Sequence, residues 1–263
     1  MRRETKAIVA AFVAVAAVAV AAVCLMHDDD GGVFSPRAYP ASHLAVLGNA
    51  DLDLDIDEDD AEFIQALIGS GEPYDYADVY MCDANGDGRV DQSDVDMVRA
   101  MAAAQTSGDW SAVGTVRYVN VDLEIAEYNM TGSDKVITLI APPLDSVLAM
   151  GGRDVVVGFD SRITTGKYHS EYARTFDFSI MYDVGSCNEP DTEVITSASK
   201  RYGGVTVVCG TRDSYGPTME SVFDGTEVQV VRVASWEYGG TMYGFMTLAY
   251  LLKHTEGAAE YYE

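Results

Sequence analysis

The sequence predicts an α/β protein with a mostly parallel sheet, preceded by a small all-α module with two acidic loops and by an apolar N-terminal helix. Three observations support this. From residue 116 onward, short β-branched runs alternate with helical stretches and glycine turns, as in sheets with helices on their faces. Between Asp51 and Asp96 there are sixteen acidic residues and one arginine. Residues 7–26 carry no charge.

The N-terminal segment predicts a membrane anchor. Arg2, Arg3 and Lys6 precede the apolar run, and Asp28 follows it closely. A helix of this length can cross a hydrocarbon core of roughly 30 Å, and positive residues remain in the cytoplasm. We therefore expect residues 1–27 to anchor the chain in the cell membrane as a single pass, residues 28–45 to form a tether, and the body to be extracytoplasmic. A cleaved signal peptide is the alternative, and lipidation of Cys24 is less favoured because Val23 is bulky.

The strongest motif is a twelve-residue acidic loop at Asp83–Asp94. Calcium takes six to eight oxygen ligands, which such a loop supplies from positions 1, 3, 5, 7, 9 and 12. Gly88 provides the sharp turn at position 6, and apolar residues at helical spacing follow the loop. The predicted ligands are Asp83, Asn85, Asp87, the Arg89 carbonyl, Asp91 and Asp94.

The same pattern occurs 34 residues earlier, at Asn49–Asp60. Leu54 occupies the position of Gly88, where a positive φ would cost a leucine about 1 kcal/mol or more. We therefore expect a second, weaker site; an acidic surface loop without metal is the alternative for both. The predicted ligands of this first loop are Asn49, Asp51, Asp53, the Asp55 carbonyl, Asp57 and Asp60.

The duplicated loop-then-helix pattern at 46–104 resembles a dockerin domain, because each loop ends in Asp and no long helix enters either loop. The resemblance implies two structural Ca²⁺ ions and a cohesin-type protein partner. Loop positions 10 and 11, which help dockerins choose a cohesin, are Glu58-Asp59 and Gln92-Ser93. Residues 105–115 are predicted to link this module to the α/β lobe.

Residues 116–263 are predicted to form a single Rossmann-like lobe. Extended segments are expected at 116–128, 135–140, 154–159, 205–209 and 227–233, and helices at 144–150, 192–202, 216–223 and 240–254. The order of a short apolar helix, a glycine turn and the strand Asp154–Asp160 resembles substrate-binding proteins of ABC importers for siderophores and cobalamin. The match extends to one lobe of a two-lobed family. The resemblance implies an anionic metal-chelate ligand and a permease partner.

A ligand is expected at the carboxyl ends of the strands, where aromatic and cationic side chains would suit a metal chelate. The alternative is a tyrosine-rich surface without a ligand. The candidate residues are Arg162, Tyr168, His169, Tyr215, Trp236 and Tyr238.

Charge and motifs exclude other functions. A net charge of −25 argues against nucleic acid as a partner. The sequence contains no recognisable catalytic motif, so we do not expect an enzyme. Cys187 and Cys209 are expected to form either a disulfide or two buried free thiols. Two functions follow: an anchored, calcium-stabilised binding protein for metal chelates, or a surface protein that docks a cohesin, in polysaccharide-degrading assemblies, without binding small molecules.

Overall fold

The computed structural model describes residues 34–36, 40, 44–209, 215–234 and 241–262. The predicted membrane helix lies outside these residues. Within the described ranges no helix is both long enough and apolar enough to cross a membrane.

The centre of the molecule is a parallel sheet of five strands, which confirms the predicted α/β class. The sheet strands are β3 (Val136–Thr138), β4 (Val156–Phe159), β5 (Tyr182–Asp183), β8 (Val205–Cys209) and β9 (Val228–Arg232). They lie in the order β5-β4-β3-β8-β9, and all four neighbouring pairs are parallel. The order reverses between β3 and β8, the place where ligands bind in many open α/β sheets.

Helices cover both faces of the sheet. Successive strand residues point to opposite sides, so each face has its own core. Val136 and Val208 lie in one core, with helices on the same face, whereas Ile137 and Val207 lie in the other. The helices on the first face are α4 (Ala141–Ala149), α9 (Thr241–Leu251) and α10 (Thr255–Tyr262), and those on the second are α7 (Thr192–Tyr202) and α8 (Tyr215–Phe223). Two short helices, α5 (Ser161–Thr164) and α6 (His169–Tyr172), follow β4.

The acidic loops precede two packed helices, α1 (Glu58–Ser70) and α3 (Gln92–Ser107), with the short α2 (Tyr76–Val79) between them. Each of the two longer helices begins with an aspartate capping box and ends at a glycine in the left-handed conformation, two signals that fix helix ends in sequence. The apolar sides of α1 and α3 belong to the same core as the first face of the sheet.

The chain just before the first loop is joined to an antiparallel hairpin, β1 (Thr115–Val119) and β2 (Ile125–Asn129). Val46 pairs with Tyr118, the Leu47 amide donates to the Arg117 carbonyl at 2.8 Å, and the Val119 amide donates to the Ala45 carbonyl at 2.8 Å. The chain at the start of the helical module is therefore connected to the hairpin through backbone hydrogen bonds.

Two segments predicted as connections pack against the body where the structure describes them. In residues 28–45, the Phe34 ring lies 5.1 Å from that of Tyr76, and Leu44 is buried. In residues 105–115, Trp110 is buried.

The predicted extended segment 116–128 is two strands, β1 and β2, separated by a turn. The remaining short strands, β6 (Gly185–Ser186) and β7 (Glu189–Pro190), form a second small antiparallel pair.

Candidate functional site

The second acidic loop is folded around its own carboxylates. Asp83, at position 1, accepts hydrogen bonds from the amides of Asp87 at 3.1 Å and Gly88 at 2.8 Å. Asp94, at position 12, accepts from the amides of Asn85 at 3.2 Å and Asp91 at 2.8 Å. These bonds join position 1 to positions 5 and 6, and position 12 to positions 3 and 9.

The first loop repeats this pattern. Asp60, at position 12, accepts from the Asp51 amide at 3.1 Å and from the Asp57 amide at 2.9 Å. Asn49, at position 1, accepts from the Asp53 amide at 3.1 Å, which matches the bond from position 5 in the second loop. The sequence repeat is therefore also a repeat of this hydrogen-bonding pattern.

The strain predicted for the first loop falls on a different residue. We expected Leu54 to have a positive φ because it replaces Gly88, but it is absent from the positive-φ residues of the described chain, and Leu52 has a φ of +66°. Gly86, its counterpart at position 4 of the second loop, has a φ of +70°. The left-handed turn at position 4 is thus common to both loops, whereas that at position 6 is confined to the glycine-containing loop.

Four of the predicted ligand side chains are almost fully buried. They are Asn49, Asp60, Asp83 and Asp94, with 0 to 1% exposure. Burial raises the pKa of Asp60 to about 7 and that of Asp94 to about 6, because a carboxylate is poorly solvated there. A bound cation would have the opposite effect, since it stabilises the charged form.

The donor chemistry and the loop backbone fit a hard cation such as calcium. All side-chain donors at the ligand positions are carboxylate or amide oxygens, and positions 1 and 12 are buried in both loops. In the present side-chain positions, the described part of the chain has no group of three or more His, Cys, Asp or Glu residues that could hold a metal ion. The loop carboxylates instead accept hydrogen bonds from backbone amides.

Side chains from the rest of the molecule reach both loops. The Tyr76 hydroxyl donates to Asp83 at 2.5 Å. The Arg117 side chain lies over Gly86, close enough to exclude a β-carbon there. Arg99 of α3 pairs with Glu58 at the start of α1 at 2.7 Å. Side chains of α2, α3 and β1 therefore contact the loops.

The residues at loop positions 10 and 11 remain at the surface. Glu58 and Asp59 are exposed in the first loop, and Gln92 and Ser93 are exposed in the second. Ile56 and Val90, at position 8, are buried in the same core as the first face of the sheet. Each loop thus has an apolar inner residue and a polar outer edge.

Three of the six candidate ligand residues lie together after β4. Arg162 pairs with the fully buried Asp160 at 3.2 Å. The His169 ring nitrogen Nδ1 lies 2.5 Å from the Thr164 carbonyl oxygen, and the Lys167 ammonium lies 4.4 Å from the Tyr168 ring centroid. Arg162 and His169 therefore already have intramolecular partners.

For the other three candidates the structure describes a backbone position at most. Trp236 and Tyr238 lie outside the described residues, and Tyr215 is the first residue of α8.

A buried arginine at the end of β9 was not among the predicted site residues. Arg232 is 2% exposed and pairs with Asp122, with Glu220 at 2.8 Å and with Glu124 at 3.2 Å. An open cleft beside it is lined by acidic side chains, including Glu127 and Glu124. The signal in the sequence that could have indicated this residue is the charged side chain at the end of the apolar strand Val228–Arg232.

Cys187 and Cys209 are thiols in the structure and do not form a disulfide, and Cys82 is likewise a thiol. All three are buried. Burial raises the pKa of the Cys82 thiol to about 12, which suppresses its reactive thiolate form.

No protein-family model matches this chain. Curated proteins give no match either. The functional interpretation therefore rests on the geometry of the loops, the sheet edge and their surroundings.

Proposed function

We propose that the protein is a membrane-anchored, extracytoplasmic calcium-binding protein whose paired-loop module docks a protein partner of cohesin type. The observation that carries this proposal is the repeat of the two loops, in sequence and in hydrogen bonding. Position 12 is a buried aspartate bonded to backbone amides in both loops. Two matched loops followed by two packed helices are the arrangement expected of the dockerin-like module.

The same residues give calcium a structural role. Asp83, Asn85, Asp87, Asp91 and Asp94 would hold one ion with the Arg89 carbonyl, and the ligands of the first loop would hold another. The ion would neutralise carboxylates that repel one another and whose charged form is destabilised by burial. Extracellular calcium modules bind with dissociation constants of roughly 10⁻⁴ to 10⁻³ M, so occupancy is expected outside the cell.

The docking surface would be the outer edge of the loops and the exposed sides of α1 and α3. Glu58 and Asp59 give the first edge a negative charge, whereas Gln92 and Ser93 give the second a neutral one. A partner is therefore expected to distinguish between the two edges by charge.

The test is binding to purified cohesin domains of several types, immobilised on a sensor, with calcium or with chelator. Binding that requires calcium supports docking. Replacing Gln92 and Ser93 with alanine should weaken binding through the second edge, and Asp154→Asn, at an exposed site in the lobe, is the matched control. If every cohesin fails to bind while calorimetry still detects calcium, the docking function is rejected and calcium binding stands.

A second candidate is an anchored binding protein for metal chelates near an ABC permease. It is favoured by one observation: Arg162, Tyr168 and His169 lie together after the carboxyl end of β4, the edge at which α/β sheets bind ligands. Because Arg162 is already paired with Asp160, a chelate would have to share it.

Tryptophan fluorescence during titration with ferric siderophores or cobalamin tests this candidate. A saturable change that Arg162→Ala abolishes and Arg153→Ala leaves intact supports chelate binding. Arg153 is a suitable control because it is exposed and contacts the Thr175 carbonyl at 2.8 Å. No saturable change in calcium-replete protein overturns the second candidate without affecting the first.

A further inference from the structure

The turn after β2 contains the sequence Asn129-Met130-Thr131. It is the single Asn-X-Ser/Thr tripeptide in the chain, because the other four asparagines are followed two residues later by Asp or Pro. This tripeptide is the acceptor sequence for N-linked glycans when X is not proline. Such a tripeptide indicates a glycosylation site only if the folded chain exposes it to solvent.

The structure presents both functional residues of the tripeptide at the surface. Asn129 and Thr131 are exposed, whereas the flanking Tyr128 and the central Met130 are buried at 4% and 0%. The alternation holds the turn in place through its buried residues and leaves the polar ones outside. A saccharide attached to the Asn129 amide would therefore displace no core residue.

Local hydrogen bonds connect the asparagine with its hydroxyl partner. The Asn129 side-chain oxygen Oδ1 accepts from the Thr131 hydroxyl at 2.6 Å and from the Thr131 amide at 2.9 Å. The Gln229 side chain of β9 holds the backbone of the same residue, accepting from the Asn129 amide at 2.7 Å and donating to its carbonyl at 3.1 Å. The acceptor is thus fixed to the edge strand of the sheet.

We propose that Asn129 is a site of N-linked glycosylation, with a lipid-linked saccharide diphosphate as the donor. The side-chain nitrogen Nδ2 attacks the anomeric carbon of the saccharide. A carbon–nitrogen bond forms, the carbon–oxygen bond to the diphosphate breaks, and the lipid diphosphate leaves while Nδ2 loses a proton. No electron transfer occurs. The inference rests on the proposed extracytoplasmic location, because such transfer takes place outside the cytoplasm.

The test is mass spectrometry of the peptide carrying residue 129, from full-length protein purified from its native cells. The expected result is a saccharide mass on this peptide, located to Asn129 by fragmentation that preserves the glycan. Asn129→Gln and Thr131→Ala should abolish the modification, and Thr131→Ser should retain it. Asn188→Gln is the matched control, because Asn188 is exposed but followed by Glu-Pro.

The location is measured in parallel by labelling intact cells with a membrane-impermeant amine reagent. If the body is labelled and the wild-type peptide is unmodified, the glycosylation site is overturned while the location stands. If the body is protected from label and the wild-type peptide is unmodified, both are overturned. Circular dichroism of Thr131→Ala and Thr131→Ser shows whether each variant is folded, and modification of Asn129 in wild-type protein decides the question even if neither variant folds.

Discussion

The indole ring of Trp110 packs edge-on against the phenol ring of Tyr250, with ring centroids 5.7 Å apart and planes at 80°. Trp110 follows α3, the second helix of the paired-loop module, and Tyr250 lies in α9 on the first face of the sheet. Both side chains are buried. The module and the sheet therefore share a core at this contact.

Because of this shared core, calcium is expected to stabilise the sheet as well as the loops. At free calcium a hundred times the dissociation constant, one site would raise the free energy of unfolding by about 2.7 kcal/mol. Urea unfolding with calcium or chelator, followed by tryptophan fluorescence and by circular dichroism, measures the shift. Both signals should move together, and a calcium shift in one signal alone would contradict a common unfolding unit.

Substitution of one loop should remove part of this calcium effect. Asp94→Asn removes a charged ligand at position 12 of the second loop, and the first loop should still bind. The calcium-dependent gain in unfolding free energy is expected to fall by more than half, since the stronger of the two predicted sites is lost. Asp154→Asn is the control, because the Asp154 side chain is 91% exposed. Equal calcium dependence in Asp94→Asn and wild-type protein would argue against the second loop as a site.

Lys253 offers a stabilising substitution. It follows α9 with a φ of +63°, and the His254 amide donates to the Ala249 carbonyl at 2.8 Å, as at helix ends that favour glycine. Lys253→Gly is expected to raise the free energy of unfolding by about 1 kcal/mol, because the left-handed conformation then has no side-chain penalty. Thermal unfolding measures it, and Lys200→Gly, within α7, should instead destabilise by about 1 kcal/mol.

Arg232 is expected to be essential for stability. Arg232→Ala leaves Asp122, Glu124 and Glu220 without their shared cation. Loss of one member of a fully buried ion pair costs about 3–5 kcal/mol, and partial exposure of these carboxylates lowers our expectation to about 2–4 kcal/mol. Arg99→Ala, in the exposed pair with Glu58, should leave the midpoint of urea unfolding nearly unchanged. Similar midpoints for the two variants would refute the importance of Arg232.

The buried thiols should resist alkylation in the native protein. Iodoacetamide at pH 8 is expected to label Cys82, Cys187 and Cys209 slowly before unfolding and completely afterwards, without prior reduction. Burial suppresses the thiolate by restricting solvation, and the pKa of Cys82 is raised to about 12. Peptide mass spectrometry identifies each labelled residue. If Cys187 and Cys209 react only after reduction, they form a disulfide, and the two separate thiols of the structure are wrong.

Local signals in the sequence predicted much of the sheet. The run Val205–Cys209 forms β8 with the predicted bounds, because consecutive β-branched residues suit a strand buried on both faces. The run 116–128 was predicted as one extended segment, but the Asn120 side chain accepts from the Glu124 amide at 3.0 Å and Leu123 has a φ of +63°. A side-chain-capped turn of this kind has weak sequence signals.

The site was predicted in part, for a similar reason. Ligand spacing in the acidic loops follows from their twelve-residue pattern. Which residue of the first loop has a positive φ depends on the fold of the whole loop, and it is Leu52, at position 4, and not Leu54. The contact between Trp110 and Tyr250 joins residues far apart in the chain, so no local pattern indicates it. Two partners of Arg232 also lie outside its own strand: Asp122 in the β1–β2 turn is 110 residues away, and Glu220 in α8 is 12 residues away.

The antiparallel pairing of residues 45–47 with β1 has a mechanical consequence for an anchored protein. Tension from the proposed anchor would first meet the packing of Phe34 on Tyr76 and would then load the hydrogen bonds from Leu47 to Arg117 and from Val119 to Ala45. The first acidic loop begins at Asn49, behind this pairing. The short pairing thus acts as a clamp, and a pull on the anchor would reach the loop only after the clamp opens.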